Sequence, residues 1–99
     1  MHVRVATGQI TSGKMQEAIN IYNNSISEVK AQKGYQGGYL MTDAGSGKIL
    51  SITLWESEAD MLAGESSGGY YQLQVGKYGF VFAGTPTVEH YELSSENSP

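Results

Sequence analysis

Lys48-Ile49-Leu50-Ser51-Ile52-Thr53-Leu54-Trp55-Glu56-Ser57-Glu58-Ala59-Asp60-Met61 reads as a strand that runs directly into a helix. From Ile49 to Trp55 the residues are apolar or β-branched with small hydroxyls between them, a mix that suits a pleated surface. Ser57 is well placed as an N-cap, and Asp60 three residues later gives a start of capping-box type. A large aromatic, Trp55, therefore stands at the end of a strand, one step before a helix mouth. There it either anchors the core or lines a pocket.

Upstream, Asp43-Ala44-Gly45-Ser46-Gly47 is a tight turn of hairpin type. Residues 35 to 42 read as a strand that pairs antiparallel with residues 48 to 55, and Gly37-Gly38 within it predicts a bulge or a close backbone approach. Further back, Met15, Ala18, Ile19, Tyr22, Ile26 and Val29 recur at spacings of three and four, which predicts one amphipathic helix. Lys30, Lys33 and Gly34 end it with cations and a residue able to take positive φ. Residues 3 to 10 alternate loosely as a first strand, broken by Thr11-Ser12-Gly13. Downstream, a second helix over residues 58 to 65 is weakened by Ser66-Ser67-Gly68-Gly69 and resumes over 70 to 77. That weak stretch would also suit a mobile pocket lid. Residues 78 to 86 form a glycine-punctuated connection, 87 to 93 a fourth strand and 94 to 99 a polar tail.

The order is β-α-β-β-α-β. Right-handed crossovers turn it into a four-stranded antiparallel sheet with the helices on one face, an α+β fold of the ferredoxin-like plan in a single domain over residues 1 to 93. The other sheet face is left bare. Val3 and Val5, or Ile52 and Leu54 on the opposite parity, must lie under something, and a second copy packed sheet to sheet would cover them. A homodimer is the expected partner state.

Ninety-nine residues can build one small core. With only six Lys plus Arg and a net charge of −4, no basic cluster exists to attract nucleic acid or an anionic membrane. The absence of cysteine excludes disulfides, thiolate nucleophiles and iron–sulfur ligation, and suits the cytoplasm. The start, Met1-His2-Val3-Arg4-Val5, lacks an apolar signal core, and no apolar run reaches the ~20 residues of a membrane span. Two His without paired spacing argue against a zinc or iron site. Gly45-Ser46-Gly47 is a turn rather than a phosphate loop, because no helix follows it.

Three pieces of the chain together are similar to one family: Gly34-Tyr35-Gln36-Gly37-Gly38-Tyr39-Leu40, Gly47-Lys48-Ile49-Leu50-Ser51-Ile52-Thr53-Leu54-Trp55-Glu56-Ser57, and Pro86-Thr87-Val88-Glu89-His90-Tyr91-Glu92. The chain resembles the antibiotic-biosynthesis-monooxygenase-like domains of the dimeric α/β-barrel group, over nearly its whole length from Val3 to Leu93. The resemblance implies a dimer of ferredoxin-like subunits. For activity it implies less, because that fold hosts cofactor-free oxygenases, haem-degrading enzymes and quinol oxygenases alike. The haem-degrading branch carries an Asn on the first strand, a Trp in the second helix and a haem-ligating His beyond it. Those positions fall here on Thr7, Gly64 and Gln74, and each departure removes chemistry. No cofactor is expected.

Cofactor-free oxygenation requires an acidic phenol or enol whose anion passes an electron to dioxygen in a dry pocket. The candidate catalytic residues are Trp55, Tyr71, His90 and Arg4, and the candidate substrate-binding residues are Tyr39, Tyr70 and Trp55. Arg4, the only Arg, has parity opposite to Val3 and Val5. It either holds an anionic oxygen or forms a salt bridge to Glu89 or Glu92. His90, in the last strand, is a base or a sheet-edge residue. Tyr22 belongs to the apolar stripe of the first helix. Of Tyr70 and Tyr71, one should point inward and one outward. Tyr39 can reach the pocket or the partner subunit. The sequence thus predicts a monooxygenase-like enzyme acting on a small aromatic or quinol. The alternatives are a non-catalytic ligand-binding or stress-related module and an isomerase or decarboxylase-type relative.

Overall fold

The computed structural model describes residues 1–66 and 68–99. The central pair of the sheet is β1 (His2–Gln9) and β3 (Lys48–Trp55), flanked by β4 (Thr87–Glu92) beside β1 and β2 (Tyr35–Asp43) beside β3. All three pairings are antiparallel, and the order β2-β3-β1-β4 is the ferredoxin-like one expected from the element sequence. The bulge falls between Tyr35 and Gly37, where Gly37 takes φ 149°, a conformation that side-chain-bearing residues rarely adopt.

Register decides what each face carries. Val3 lies opposite Leu54 and Val5 opposite Ile52. Directly opposed residues share a face, so these four stand together rather than on opposite sides, which corrects the either-or reading of the sequence. Arg4 opposite Thr53, Ala6 opposite Ser51 and Gly8 opposite Ile49 make up the other face, the one the helices cover.

Two helical segments, α1 (Met15–Asn24) and α2 (Ile26–Lys30), replace the single first helix the periodicity predicts. The break is at Ser25. Its hydroxyl donates to the Ile21 carbonyl at 2.9 Å, a back-bond that competes with the helical ladder and bends it. The second helix is interrupted as expected, into α3 (Glu58–Ala63) and α4 (Tyr70–Gly76). Ser57 caps α3, its hydroxyl accepting from the Asp60 amide at 3.1 Å. The connection after α4 holds a short 3-10 turn, Gly79–Val81, docked through Thr11 N–H to the Val81 carbonyl at 2.8 Å.

The core is in two parts. Ile10, Ala18, Ile49 and Val81 form an aliphatic cluster, and Val29, Trp55 and Met61 form a second one with Tyr35 and Tyr70 packed against it. Among the described residues no helix is long and apolar enough to cross a membrane.

Candidate functional site

The site is built around a charge that the fold has buried. Arg4 is 2% exposed, on the helix-covered face of β1. Its Nη2 donates to Tyr70 Oη at 3.0 Å. Its guanidinium carbon stands 5.2 Å from the Trp55 ring centroid, 5.5 Å from that of Tyr70 and 4.9 Å from that of Tyr71, close enough for cation–π attraction to all three. Among the described residues the one carboxylate ion-paired with it is Glu65, on the connection between α3 and α4, with Oε2 3.5 Å from Arg4 Nε. At that distance the pair is ionic without a well-formed hydrogen bond, and both Nε and Nη1 lack a hydrogen-bond partner.

The sequence-based expectation that Arg4 pairs with Glu89 or Glu92 is corrected here. Alternation along β4 sends Glu89 to the opposite face, where its carboxylate accepts from Tyr91 Oη at 2.9 Å. Glu65 takes the role instead, and His90 Nε2 contacts its two oxygens at 2.9 and 2.8 Å. His90 is paired with Arg4 across the β1–β4 register, so Glu65 is shared between a buried guanidinium and an exposed imidazole.

Between the two core clusters, Arg4 opens onto a cavity of about 100 Å³. Ala6, Gly8 and Ser51 line it from the sheet, and Tyr22, Val29 and Val75 from the helices. Three side chains bring unpartnered polar atoms into this lining: Arg4, Tyr71 with a buried Oη, and Gln74 with a buried Oε1. Buried polar groups are nearly always satisfied, so three orphans in one small space are a departure from the rule.

The orientation of Gln74 is fixed from outside. Its Nε2 donates to a carboxylate oxygen of Glu28 on α2, which also receives Lys77 Nζ at 2.7 and 3.0 Å. An ionised carboxylate can only accept, so the amide nitrogen must face Glu28 and the carbonyl oxygen must face the cavity. Lys77 and Gln74 together hold the Glu28 carboxyl below its usual range, which keeps this latch ionised.

Burial pushes Tyr70 up to about 12, against the pull of Arg4. It raises Tyr71 and Tyr22 as well, and takes Tyr78 to about 12. At ordinary pH these phenols are therefore neutral hydrogen-bonding groups and not bases.

Arg4, Tyr70 and Tyr71 meet at the cavity, both tyrosines facing inward where one was expected to point out. Trp55 does not line it. It is 0% exposed behind the wall, donating from Nε1 to Thr53 Oγ1 at 2.9 Å and packed edge-on to Tyr35. Tyr39 is 64% exposed on the opposite sheet face, and His90 stands at the sheet edge, reaching the site only through Glu65. The lid expectation for residues 66 to 69 falls in part on residue 67, outside the described residues. Gln74 and Glu65 were missed as site residues. Gln74 left a signal, as a polar residue within the stripe Tyr71, Val75, Tyr78. Glu65 left none, because nothing local distinguishes it from a solvated carboxylate.

The residues do not fit a haem. Gln74 offers no imidazole, and the cavity is far smaller than a porphyrin. Gly64 is buried with the Tyr70 ring against it, where any Cβ would collide with that ring. Thr7 sits on the face away from the cavity, between Ala6 and Gly8 that line it. Among the described residues no group of three His, Cys, Asp or Glu could hold a metal.

The model of one family, antibiotic biosynthesis monooxygenase, matches residues 1–74. No curated protein matches the sequence. Solved structures share the fold at low identity. The monooxygenase from the gene ActVA-Orf6 of Streptomyces coelicolor, in complex with nanaomycin D, superposes with a TM-score of 0.81 at 12% identity over 99% of this chain and 91% of that one. A mutant of MhuD with two manganese protoporphyrin IX bound per active site gives 0.79 at 19% identity over 100% of both. Rv0793 from Mycobacterium tuberculosis gives 0.76 at 13% identity over 98% of both. With the family model spanning most of the chain and the fold shared throughout, the chain belongs to the antibiotic biosynthesis monooxygenase family.

Proposed function

We propose that the cavity beside Arg4 binds the oxyanion of a small aromatic and that the protein is a cofactor-independent monooxygenase on a one-ring phenol or quinol. The observation that carries this is the buried guanidinium with a free Nη1 in a mostly apolar space. A charge buried with a single poorly placed counterion costs stability, and a ligand anion would supply the missing interaction. The size limits the ligand. About 100 Å³ lies below the ~300 Å³ of ordinary ligand pockets and nearer the ~150 Å³ that takes one benzene ring.

The chemistry follows from the anion. A phenolate passes one electron to dioxygen, giving a ring radical and superoxide. These combine at a ring carbon, the peroxide takes up a proton, and loss of water leaves a carbonyl. Phenol plus dioxygen thus becomes quinone plus water. Arg4 favours the ionised ligand, Tyr71 Oη offers a further donor, and the apolar lining excludes competing water. No lining side chain is a base at neutral pH, so ligands that ionise readily are favoured. The same lack of a base supports the second reading, a ligand-binding module without catalysis. A second copy covers the opposite sheet face, where Tyr39, Met41 and Tyr91 are 64%, 46% and 51% exposed. The absence of cysteine fits a cytoplasmic setting.

4-Nitrocatechol tests the reading, because its ionisation is visible as a colour change. Binding should draw the ligand to its coloured anion, and Arg4→Met should abolish the change. Binding that leaves the ligand's ionisation untouched sinks the oxyanion site. Oxygen uptake with dihydroxybenzenes then separates monooxygenase from binding module, and sedimentation of native protein against Tyr39→Glu reports the dimer.

A further inference from the structure

We infer that Gln74 reads a second group on the ligand, and that the site selects an aromatic carrying both an oxyanion and a separate hydroxyl or N–H donor. The inference rests on the oxyanion reading of Arg4 and adds to it a specificity determinant elsewhere in the lining of the same cavity.

The unpartnered polar atoms of the lining differ in kind. Arg4 Nη1 can only donate, and Tyr71 Oη, a neutral phenol, can donate or accept. Gln74 Oε1 can only accept. An amide normally turns to suit whatever stands before it, and this one is denied that freedom. Glu28 claims the nitrogen, and Lys77 holds Glu28 with two contacts of its own. The latch spans α2 and α4 on the outer surface, so the acceptor is aimed inward by groups that never touch the ligand. A ligand that offered a carbonyl, nitro or ether oxygen to this point would set two acceptors face to face. One that offered an O–H or N–H would satisfy a buried oxygen that otherwise has no partner.

A dihydroxyarene monoanion offers a partner to both groups. A simple phenolate meets one. Oxygenation of a dihydroxyarene by the same stoichiometry gives a hydroxyquinone plus water, and that product keeps one hydroxyl.

The test compares ligands that differ by a single donor. Catechol, resorcinol and hydroquinone are titrated anaerobically by calorimetry against 2-, 3- and 4-fluorophenol, in which fluorine replaces one hydroxyl at nearly equal size. In the native protein at least one dihydroxybenzene should bind about tenfold more tightly than its fluoro counterpart. That gap should fall to about twofold in Gln74→Leu, which continues the apolar stripe of α4. It should also narrow in Glu28→Gln, an exposed substitution that leaves the cavity lining intact but frees the amide to turn. Equal binding of both series to the native protein overturns the inference, and so does a gap that survives Gln74→Leu, because the donor is then read elsewhere or a bound water alone satisfies Gln74. If either occurs while 4-nitrocatechol still ionises on binding, the Arg4 reading stands and only the role of Gln74 fails. If no ligand of either series binds, both fail.

Discussion

The two halves of the core are built on different terms. The cluster of Ile10, Ala18, Ile49 and Val81 is aliphatic, and Tyr78 and Phe82, stacked at 4.6 Å between ring centroids, pack against it. Around Trp55 the packing is aromatic and encloses a charge: Trp55, Tyr70 and Tyr71 surround the Arg4 guanidinium. The first half gains stability from each contact. The second gives some of it up to keep a cation dry and incompletely paired, which is the usual mark of a site. The cavity lies where the two halves fail to meet.

The comparison can be broken most forcefully by truncation. Trp55→Ala should cost about 3–5 kcal/mol and Ile49→Ala about 2–5 kcal/mol in denaturant unfolding followed by circular dichroism. The two should nevertheless differ in kind. Trp55→Ala removes one of the rings packed on Arg4 and should weaken 4-nitrocatechol binding beyond its stability cost. Ile49→Ala, which enlarges the cavity at its aliphatic end, should retain binding or improve it for larger rings. Equal losses of binding in both would show that the halves are not functionally distinct.

A sharper cut removes the charges one at a time. Glu65→Ala leaves the buried Arg4 without a carboxylate and should cost about 3 kcal/mol. Arg4→Met fills the same volume with an apolar side chain and should cost much less, or nothing, while abolishing oxyanion binding. The double variant should recover most of the loss caused by Glu65→Ala alone. Additive losses in that cycle would mean that Glu65 serves the fold and not the guanidinium.

The smallest effect is one of pH, and it touches both halves. Tyr70 in the aromatic half and Tyr78 in the aliphatic half are both raised to about 12 from an ordinary value near 10. Between those values the unfolded chain has released protons that the folded chain still holds, so stability is unaffected below pH ~10 and falls as pH rises toward ~12. Tyr78→Phe should flatten part of that fall. A denaturation midpoint constant from pH 9 to 12 would mean that neither phenol is held neutral by burial.

Most of the fold was legible in the sequence, for local reasons. The strand from Lys48 to Trp55 and the Ser57 cap of α3 lie where composition and capping chemistry place them, because both signals are carried by adjacent residues. The break at Ser25 was missed because a serine hydroxyl can equally face solvent, and only the position of the Ile21 carbonyl decided it. The site was less legible. Arg4 was recognisable by parity and by being the only arginine, and Tyr70 and Tyr71 by their place after a glycine pair. Trp55 drew attention through its size and its place at a strand's end, and its position behind the cavity wall depended on how Thr53 and Tyr35 pack around it. Glu65 was illegible, since its partners lie on β1 and β4, far along the chain in both directions.

The sequence by itself determined the order of elements, the parity that turns Arg4 away from Val3 and Val5, and the acidic, cysteine-free character that narrows the possible partners. These depend on periodicity and composition, which a chain carries before it folds. Only the tertiary structure decided that Glu65 and not Glu89 stands beside Arg4, that both tyrosines of α4 face inward, and that Glu28 turns the Gln74 carbonyl toward the same cavity. Each of these joins residues distant in the chain, and such contacts are fixed by register and packing rather than by any local preference.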